Sequence, residues 1–279
     1  MTTHRFHQLD VFTATPLKGN PLAVVHGADG LDDARLQAFA RWTNLSETTF
    51  LLEPTEAGAD YRVRIFTPAR ELPFAGHPTL GSCHAWLSAG GRPAADEIVQ
   101  QCKVGLVRIR RDGERLAFAA PPLLRSGAVE PAVNEQIARC LRVAPAAIRA
   151  TQWVDNGPGW VAALLESRDA VLALKPDFAV MGQLKIGVVG PWPDADRADA
   201  QFEVRAFIPS SGVREDPVTG SLNAGLAQWL IGAGLAPPHY VASQGTALGR
   251  AGRVHVDRIG ADIWIGGHTV VCVDGTVTL

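Results

Sequence analysis

Two short motifs set an ionisable residue directly before a proline and a glycine-bearing apolar run. They are His77-Pro78, followed by Gly81 and Ser82, and Asp216-Pro217, followed by Gly220 and Ser221. Proline suits the first position of a helix, where its missing N–H is not needed, so each motif reads as a helix start with His77 or Asp216 at or next to the N-cap. Aspartate is a good capping residue, and its charge suits the positive end of the helix dipole. Free N–H groups at helix starts hold anions, so two such starts facing one another would grip a small carboxylate. An imidazole with an ordinary pKa of about 6.5 can pass a proton or a hydrogen bond to an oxygen of that ligand. Asp216 taken alone reads equally well as a plain cap.

Other chemistries lack their residues. There is no HExxH or HxxxH, so no metal site is predicted, and His4, His7, His26, His84, His239, His255 and His268 fit strands, turns or helix. No GxSxG nucleophile elbow occurs, and Ser211-Gly212 lacks the leading glycine. The glycines around 245–249 and 266–267 are not followed by GK[ST], so no phosphate loop is present. Cys83, Cys102, Cys140 and Cys272 are too few and too widely spaced for a disulfide framework, and read as small buried hydrophobes in a reducing compartment.

Composition narrows the class further. A chain of 279 residues with 47% hydrophobic content is long enough for about two domains and too apolar to be disordered. Lys plus Arg number 26 against 28 Asp plus Glu, a net charge of -2, so there is no basic excess to engage nucleic acid. The 28 glycines and 19 prolines imply many tight turns and short strands. The N-terminus alternates polar and apolar residues without a signal-peptide core. The most apolar later stretch, 225–236, is broken by Gln228 and glycines and is too short to cross a bilayer. A cytoplasmic protein with no membrane partner is expected.

The elements that must position these residues follow from periodicity. Strands are predicted over 5–13, 21–25, 48–52, 61–67, 98–101, 104–110 and 115–119, with Asp112-Gly113 as a hairpin turn. Helices are predicted over 32–42 and 78–89. A proline-bracketed linker at 121–131 separates these from a helix at 133–141, strands at 150–154, 159–165, 184–189 and 201–208, and an apolar helix at 217–231. The tail returns to strands at 253–257, 262–265 and 269–273, with a last short one. Helices set among hairpins predict an α+β fold with mostly antiparallel sheets.

The chain also repeats itself. Arg64, Phe66 and Pro68 match Arg205, Phe207 and Pro209; His77-Pro78 and Gly81-Ser82 match Asp216-Pro217 and Gly220-Ser221; Trp86-Leu87 matches Trp229-Leu230. The shared order of strand, proline and glycine-bearing apolar helix argues for duplication, and for a cleft between two similar domains. The domains are expected at 1–122 and 130–279, with the last strand able to join the first domain.

Several blocks together resemble one family. FHQLDVFTATPLKGNPLAVV, NLSETTFL, FAGHPTLGS, EDPVTGS and QGTALGRAG, spread over nearly the whole length, are similar to signatures of the PhzF-like family, named after a phenazine-biosynthesis isomerase and sharing the diaminopimelate epimerase fold. The resemblance implies two pseudo-symmetric domains, each an antiparallel, barrel-like sheet around a central helix. It implies an active site in the cleft with no metal or organic cofactor, and a homodimer. Matched residue by residue, it implies Glu47 as acid/base with His77 and Asp216 as catalytic partners, and Ser46, Gly76, Gly220 and Ser221 as substrate-binding residues. The two-thiol chemistry of diaminopimelate epimerase is excluded, because the two helix starts carry His77 and Asp216, and Cys83 lies six residues beyond His77.

An exposed carboxylate with a pKa of about 4.3 is a feeble base toward carbon, and burial strengthens it. Glu47 precedes the apolar run Thr48-Thr49-Phe50-Leu51-Leu52, so it is expected to be partly desolvated; by its residues alone it reads first as an ordinary glutamate at a strand start. The expected function is a cofactor-independent isomerase that moves a proton between carbons of a small cyclic carboxylic acid. An epimerase or racemase, and a metabolite-binding protein without turnover, are the alternatives.

Overall fold

The computed structural model describes residues 1–193, 199–208 and 214–279; Pro209 and Ser211-Gly212 lie outside them. The chain forms two compact units, Met1–Ala119 with Gly266–Leu279, and Ala120–Ile265.

The first unit runs β1 (Thr3–Val11), β2 (Asn20–Val25), α1 (Asp33–Thr43), β3 (Glu47–Leu52), β4 (Tyr61–Phe66), β5 (Glu71–Leu72), α2 (Gly76–Ser88), β6 (Ile98–Cys102), β7 (Gly105–Asp112) and β8 (Arg115–Ala119). β1 pairs antiparallel with β2, β2 parallel with β3, β3 antiparallel with β4, β4 parallel with β6, and β6–β7–β8 continue antiparallel. Each parallel junction falls where a helix-bearing connection, through α1 or α2, returns the chain to the same end of the sheet. The sheet curls round α2, which touches β1, β2, β3, β4 and β8. Nine of the 13 residues of α2 are buried, so the helix shows no polar face. α1 packs outside the sheet, burying Leu36, Phe39 and Ala40 against Val25, Phe50 and Phe66.

The second unit repeats this scheme. Its elements are β9 (Arg125–Gly127), α3 (Pro131–Leu141), β10 (Ile148–Asp155), β11 (Trp160–Leu165), α4 (Arg168–Leu172), α5 (Phe178–Met181), β12 (Lys185–Pro191), β13 (Phe202–Phe207), β14 (Glu215–Asp216), α6 (Gly220–Gly232), β15 (His239–Gln244), β16 (Gly252–Ile259) and β17 (Asp262–Gly267). β10–β11 is antiparallel, β11–β12 parallel, β12–β13 antiparallel, β13–β15 parallel and β15–β16 antiparallel, the same alternation as β1 to β7. α6 packs on β10, β11 and β16, and α3 covers the outer side with Ile137 and Leu141 on Val161, Ile186 and Val188. The C-terminal residues form one continuous strand, β18 (Thr269–Thr278), antiparallel to β1 with a bulge at Gln8/Leu9, where two short strands were predicted. No helix among the described residues is long and apolar enough to cross a membrane.

Strand pairing aligns the repeats better than residue identity does. Leu72 and Glu71 pair with Ile65 and Phe66, and Asp216 and Glu215 pair with Ala206 and Phe207, so Asp216 matches Leu72. Gly76-His77 and Gly220-Ser221 are the first two residues of α2 and α6. His77 therefore corresponds to Ser221, correcting the expected His77–Asp216 match.

Central helices need small residues where strands press on them. A Cβ on Gly225 would lie 2.2 Å from Val154 O, whereas one on Gly232 meets nothing within 4 Å. Gly225→Ala is therefore expected to destabilise the protein by about 1–3 kcal/mol, and Gly232→Ala to leave it unchanged or slightly more stable. Paired urea melts check this contrast.

Candidate functional site

The predicted residues fall into two sets, one in each unit. The first comprises Ser46, Glu47, Gly76 and His77. Half-buried Ser46 precedes β3, and Glu47 opens it. Behind Glu47 the strand is fixed to the central helix, because Ser82 Oγ donates to Thr49 Oγ1, which donates to Ala23 O. Gly76 and His77 open α2 after an extended N-cap, Ala75, which makes no side-chain capping bond. His77 is thus the second helical residue, and Pro78 the third rather than the first.

His77 and Glu47 meet: Nε2 lies 3.4 Å from Glu47 Oε2, with the side chains 4% and 16% exposed. The other ring nitrogen, Nδ1, lies 3.3 Å from Asn20 Nδ2, and Asn20 is fully buried. An amide N–H only donates, so Nδ1 accepts and the single proton of the neutral ring sits on Nε2, on the side of Glu47. Burial pushes the His77 pKa down to about 3, so the imidazole is uncharged. Nε2 has no hydrogen-bond partner among the described residues, since Glu47 lies close but off line. A carboxylate thus stands beside a buried neutral N–H donor. Sequence reasoning gave Asn20 no role of its own; it stood within the block FHQLDVFTATPLKGNPLAVV. Gly19 sets its place, because a Cβ there would lie 2.2 Å from Val11 O.

The second set comprises Asp216, Gly220 and Ser221. Asp216 lies in β14, three residues before the N-cap Thr219, so it does not cap α6. Its carboxylate instead accepts the Thr219 hydroxyl, Oγ1 to Oδ2 at 2.6 Å. The direction of that bond is fixed by Gln244, a buried residue at the end of β15 that sequence reasoning missed. Gln244 Oε1 faces the Thr219 N–H at 3.0 Å and Asn223 Nδ2 at 2.9 Å. Its Nε2 donates to Asp216 O and to Thr219 Oγ1. With all four positions of the amide used, the Thr219 proton is left for Asp216. Gly220 and Ser221 begin α6, and Ser221 Oγ accepts from the Trp160 indole at 3.0 Å.

In each unit an arginine–glutamate pair, partly buried in the first and more deeply buried in the second, anchors the segment leading to the helix. Arg64 Nε and Nη2 donate to the two oxygens of Glu71, and Arg205 Nε and Nη2 to those of Glu215. Two-pronged pairing of this kind fixes distance and plane together. Among the described residues no three His, Cys, Asp or Glu side chains are grouped to hold a metal ion.

A family model described as phenazine biosynthesis-like protein matches residues 9–275, and the chain belongs to that family. The protein named Antisense-enhancing sequence 1 of Schizosaccharomyces pombe is 37% identical over 298 residues, covering 99% of each chain. The trans-2,3-dihydro-3-hydroxyanthranilate isomerase of Pseudomonas aeruginosa is 34% identical over 264 residues, covering 92% of this chain and 91% of its own. Among solved structures, a PhzF-family protein of Enterococcus faecalis matches in fold over 100% of both chains, with a TM-score of 0.82 at 24% identity.

The buried imidazole carries a pH signature. Its folded pKa of about 3 lies below the ordinary 6.5, so between those values the unfolded chain binds a proton that the folded one does not. Stability is therefore full above pH 6.5 and falls as pH drops. His7, His26 and His84 are shifted the same way, with burial the largest cause, and add to the slope. His77→Gln should reduce the loss of unfolding free energy between pH 7 and 5.5 by roughly 1 kcal/mol, read from urea denaturation at both pH values.

Proposed function

We propose that the protein is a cofactor-independent isomerase, active in the cytoplasm on a small cyclic carboxylic acid. The observation that carries this reading is Glu47 within 3.4 Å of the buried, uncharged His77. A carboxylate beside a neutral donor can take a proton from carbon without competing for it against an imidazolium. Family membership and the relative named as an isomerase support the class.

In the proposed reaction Glu47 removes a proton from a carbon activated by an adjacent unsaturated bond. The C–H electrons shift into the conjugated system. The same glutamate then delivers the proton to another carbon, so substrate and product have the same composition. His77 Nε2–H steadies a substrate oxygen or the Glu47 carboxylate as charge moves. Ser46 and Gly76 bind substrate beside Glu47. Asp216 accepts a hydrogen bond from a hydroxyl or amino group, and Gly220 and Ser221, at the positive end of α6, take a carboxylate. The homodimer belongs to the same proposal, and light scattering should give twice the 29.7 kDa of one chain.

The test is solvent exchange. Trans-2,3-dihydro-3-hydroxyanthranilate and a panel of small cyclic acids are incubated with the protein in D₂O and followed by NMR. Deuterium at a new carbon is expected. Glu47→Gln, which keeps shape but cannot take a proton, should slow uptake by about 10²- to 10⁴-fold. Uptake with inversion at one carbon would instead identify an epimerase. Tight binding without uptake would identify a binding protein.

A further inference from the structure

The hydroxyl of Ser221 sits at a polarity switch. Ser221 is 8% exposed, the second residue of the 13-residue helix α6. A serine hydroxyl can donate or accept, so at the start of a helix it can turn its proton inward and present lone pairs to a ligand. Here it cannot be satisfied that way. The indole of Trp160, 1% exposed, points Nε1 at Ser221 Oγ from 3.0 Å. An indole N–H only donates, so Ser221 Oγ must accept. Its own proton is left over, and it makes no hydrogen bond to another described residue.

The geometry points to Trp160 as a positioning residue that makes Ser221 a donor toward the substrate carboxylate. This rests on the proposed reading of Ser221 as a carboxylate-binding residue. Trp160 is placed for the task by the turn before it, where Asp155 Oδ1 accepts the N–H groups of Gly157 and Gly159. In the same turn Asn156 Nδ2 donates to Ser221 O at 2.9 Å, so backbone and side chain of Ser221 are both held from one segment. An N–H donor on the far side of the oxygen also makes the hydroxyl proton a better donor, since hydrogen bonds in a chain polarise one another. The pairing is self-consistent only with an acceptor ligand. A carboxylate satisfies the leftover proton, whereas an ammonium at the same place would meet a proton instead of a lone pair.

The experiment is a double-mutant cycle, read by calorimetric titration with 3-hydroxyanthranilate and its carboxamide counterpart. Trp160→Phe keeps a buried ring and removes the N–H; Ser221→Ala removes the hydroxyl. Wild type is expected to prefer the acid over the amide. Each single variant should weaken acid binding by about tenfold and reduce the preference. In the Ser221→Ala background, Trp160→Phe should have no further effect on acid binding. A tenfold loss that recurs in that background assigns Trp160 a packing role only and overturns the inference. An acid affinity untouched by Trp160→Phe also overturns it. If Ser221→Ala itself binds the acid like wild type, or wild type does not bind it, the carboxylate reading of Ser221 fails, and the inference falls with it. Trp160→His, which keeps a ring and can restore an N–H, provides the measurement should Trp160→Phe fail to fold; recovery of the acid preference is then expected, and its absence overturns the proposal.

Discussion

An imidazole buried without charge at the start of a helix constrains most of what surrounds it. His77 is only 3% exposed, so its ring nitrogens depend on neighbouring groups for hydrogen bonds. Asn20 meets Nδ1, and that requires β2 to begin where the loop from β1 presses Gly19 onto the backbone of Val11. The proton then stands on Nε2, toward Glu47, whose place is set by β3 and by the Ser82–Thr49 hydroxyl pair on the buried side of the sheet. The helix that carries His77 must in turn be buried all round, and Gly81 allows this, since a Cβ there would lie 2.5 Å from Leu22. Chemistry at Glu47 and packing at the centre of the unit are thus one problem.

The two units share one scaffold, with the same alternation of strand pairings, and differ at the ionisable positions. Both keep the arginine–glutamate pair between the strand and the short strand before the helix, which steadies the approach to α2 and α6. Both set a buried glutamine from the neighbouring strand against the helix start: Gln100 donates to Thr79, and Gln244 to Thr219. The ionisable positions do not repeat. Strand pairing matches Thr48 with Ile186, opposite Phe66 and Phe207, so the place of Glu47 is taken by Lys185. Asp216 matches Leu72 and Ser221 matches His77. One copy carries the proposed proton carrier and its neutral donor; the other carries an acceptor and a donor hydroxyl suited to holding an acid.

Much of this was readable from the residues. Most strands and the central helices follow from period, proline and glycine, the repeated order of elements was visible though its residue match was displaced, and the family resemblance came from whole blocks. The helix starts were misplaced because local capping preference lost to sheet pairing: Asp216 is held in β14 opposite Ala206, leaving Thr219 as the N-cap. Strand β15 was missed because the long loop 245–251 that joins it to its antiparallel partner β16 carries no two-residue hairpin signal. Gln244 was missed with it. Asn20 and Trp160 were visible only as a member of a family-like block and as a strand aromatic, since their importance lies in which way a hydrogen bond runs. That direction follows from donor-only partners brought in by the fold, which no local pattern encodes.

The central claim is that Glu47 is accompanied by a neutral imidazole with its proton on Nε2. Long-range ¹H–¹⁵N NMR of protein labelled with ¹⁵N-histidine, assigned through His77→Gln, reads ring charge and tautomer directly. The account predicts for His77 at pH 7 a protonated Nε2 and an unprotonated Nδ1, unchanged on lowering the pH to 5.5. An imidazolium, or a neutral ring with the proton on Nδ1, would contradict it.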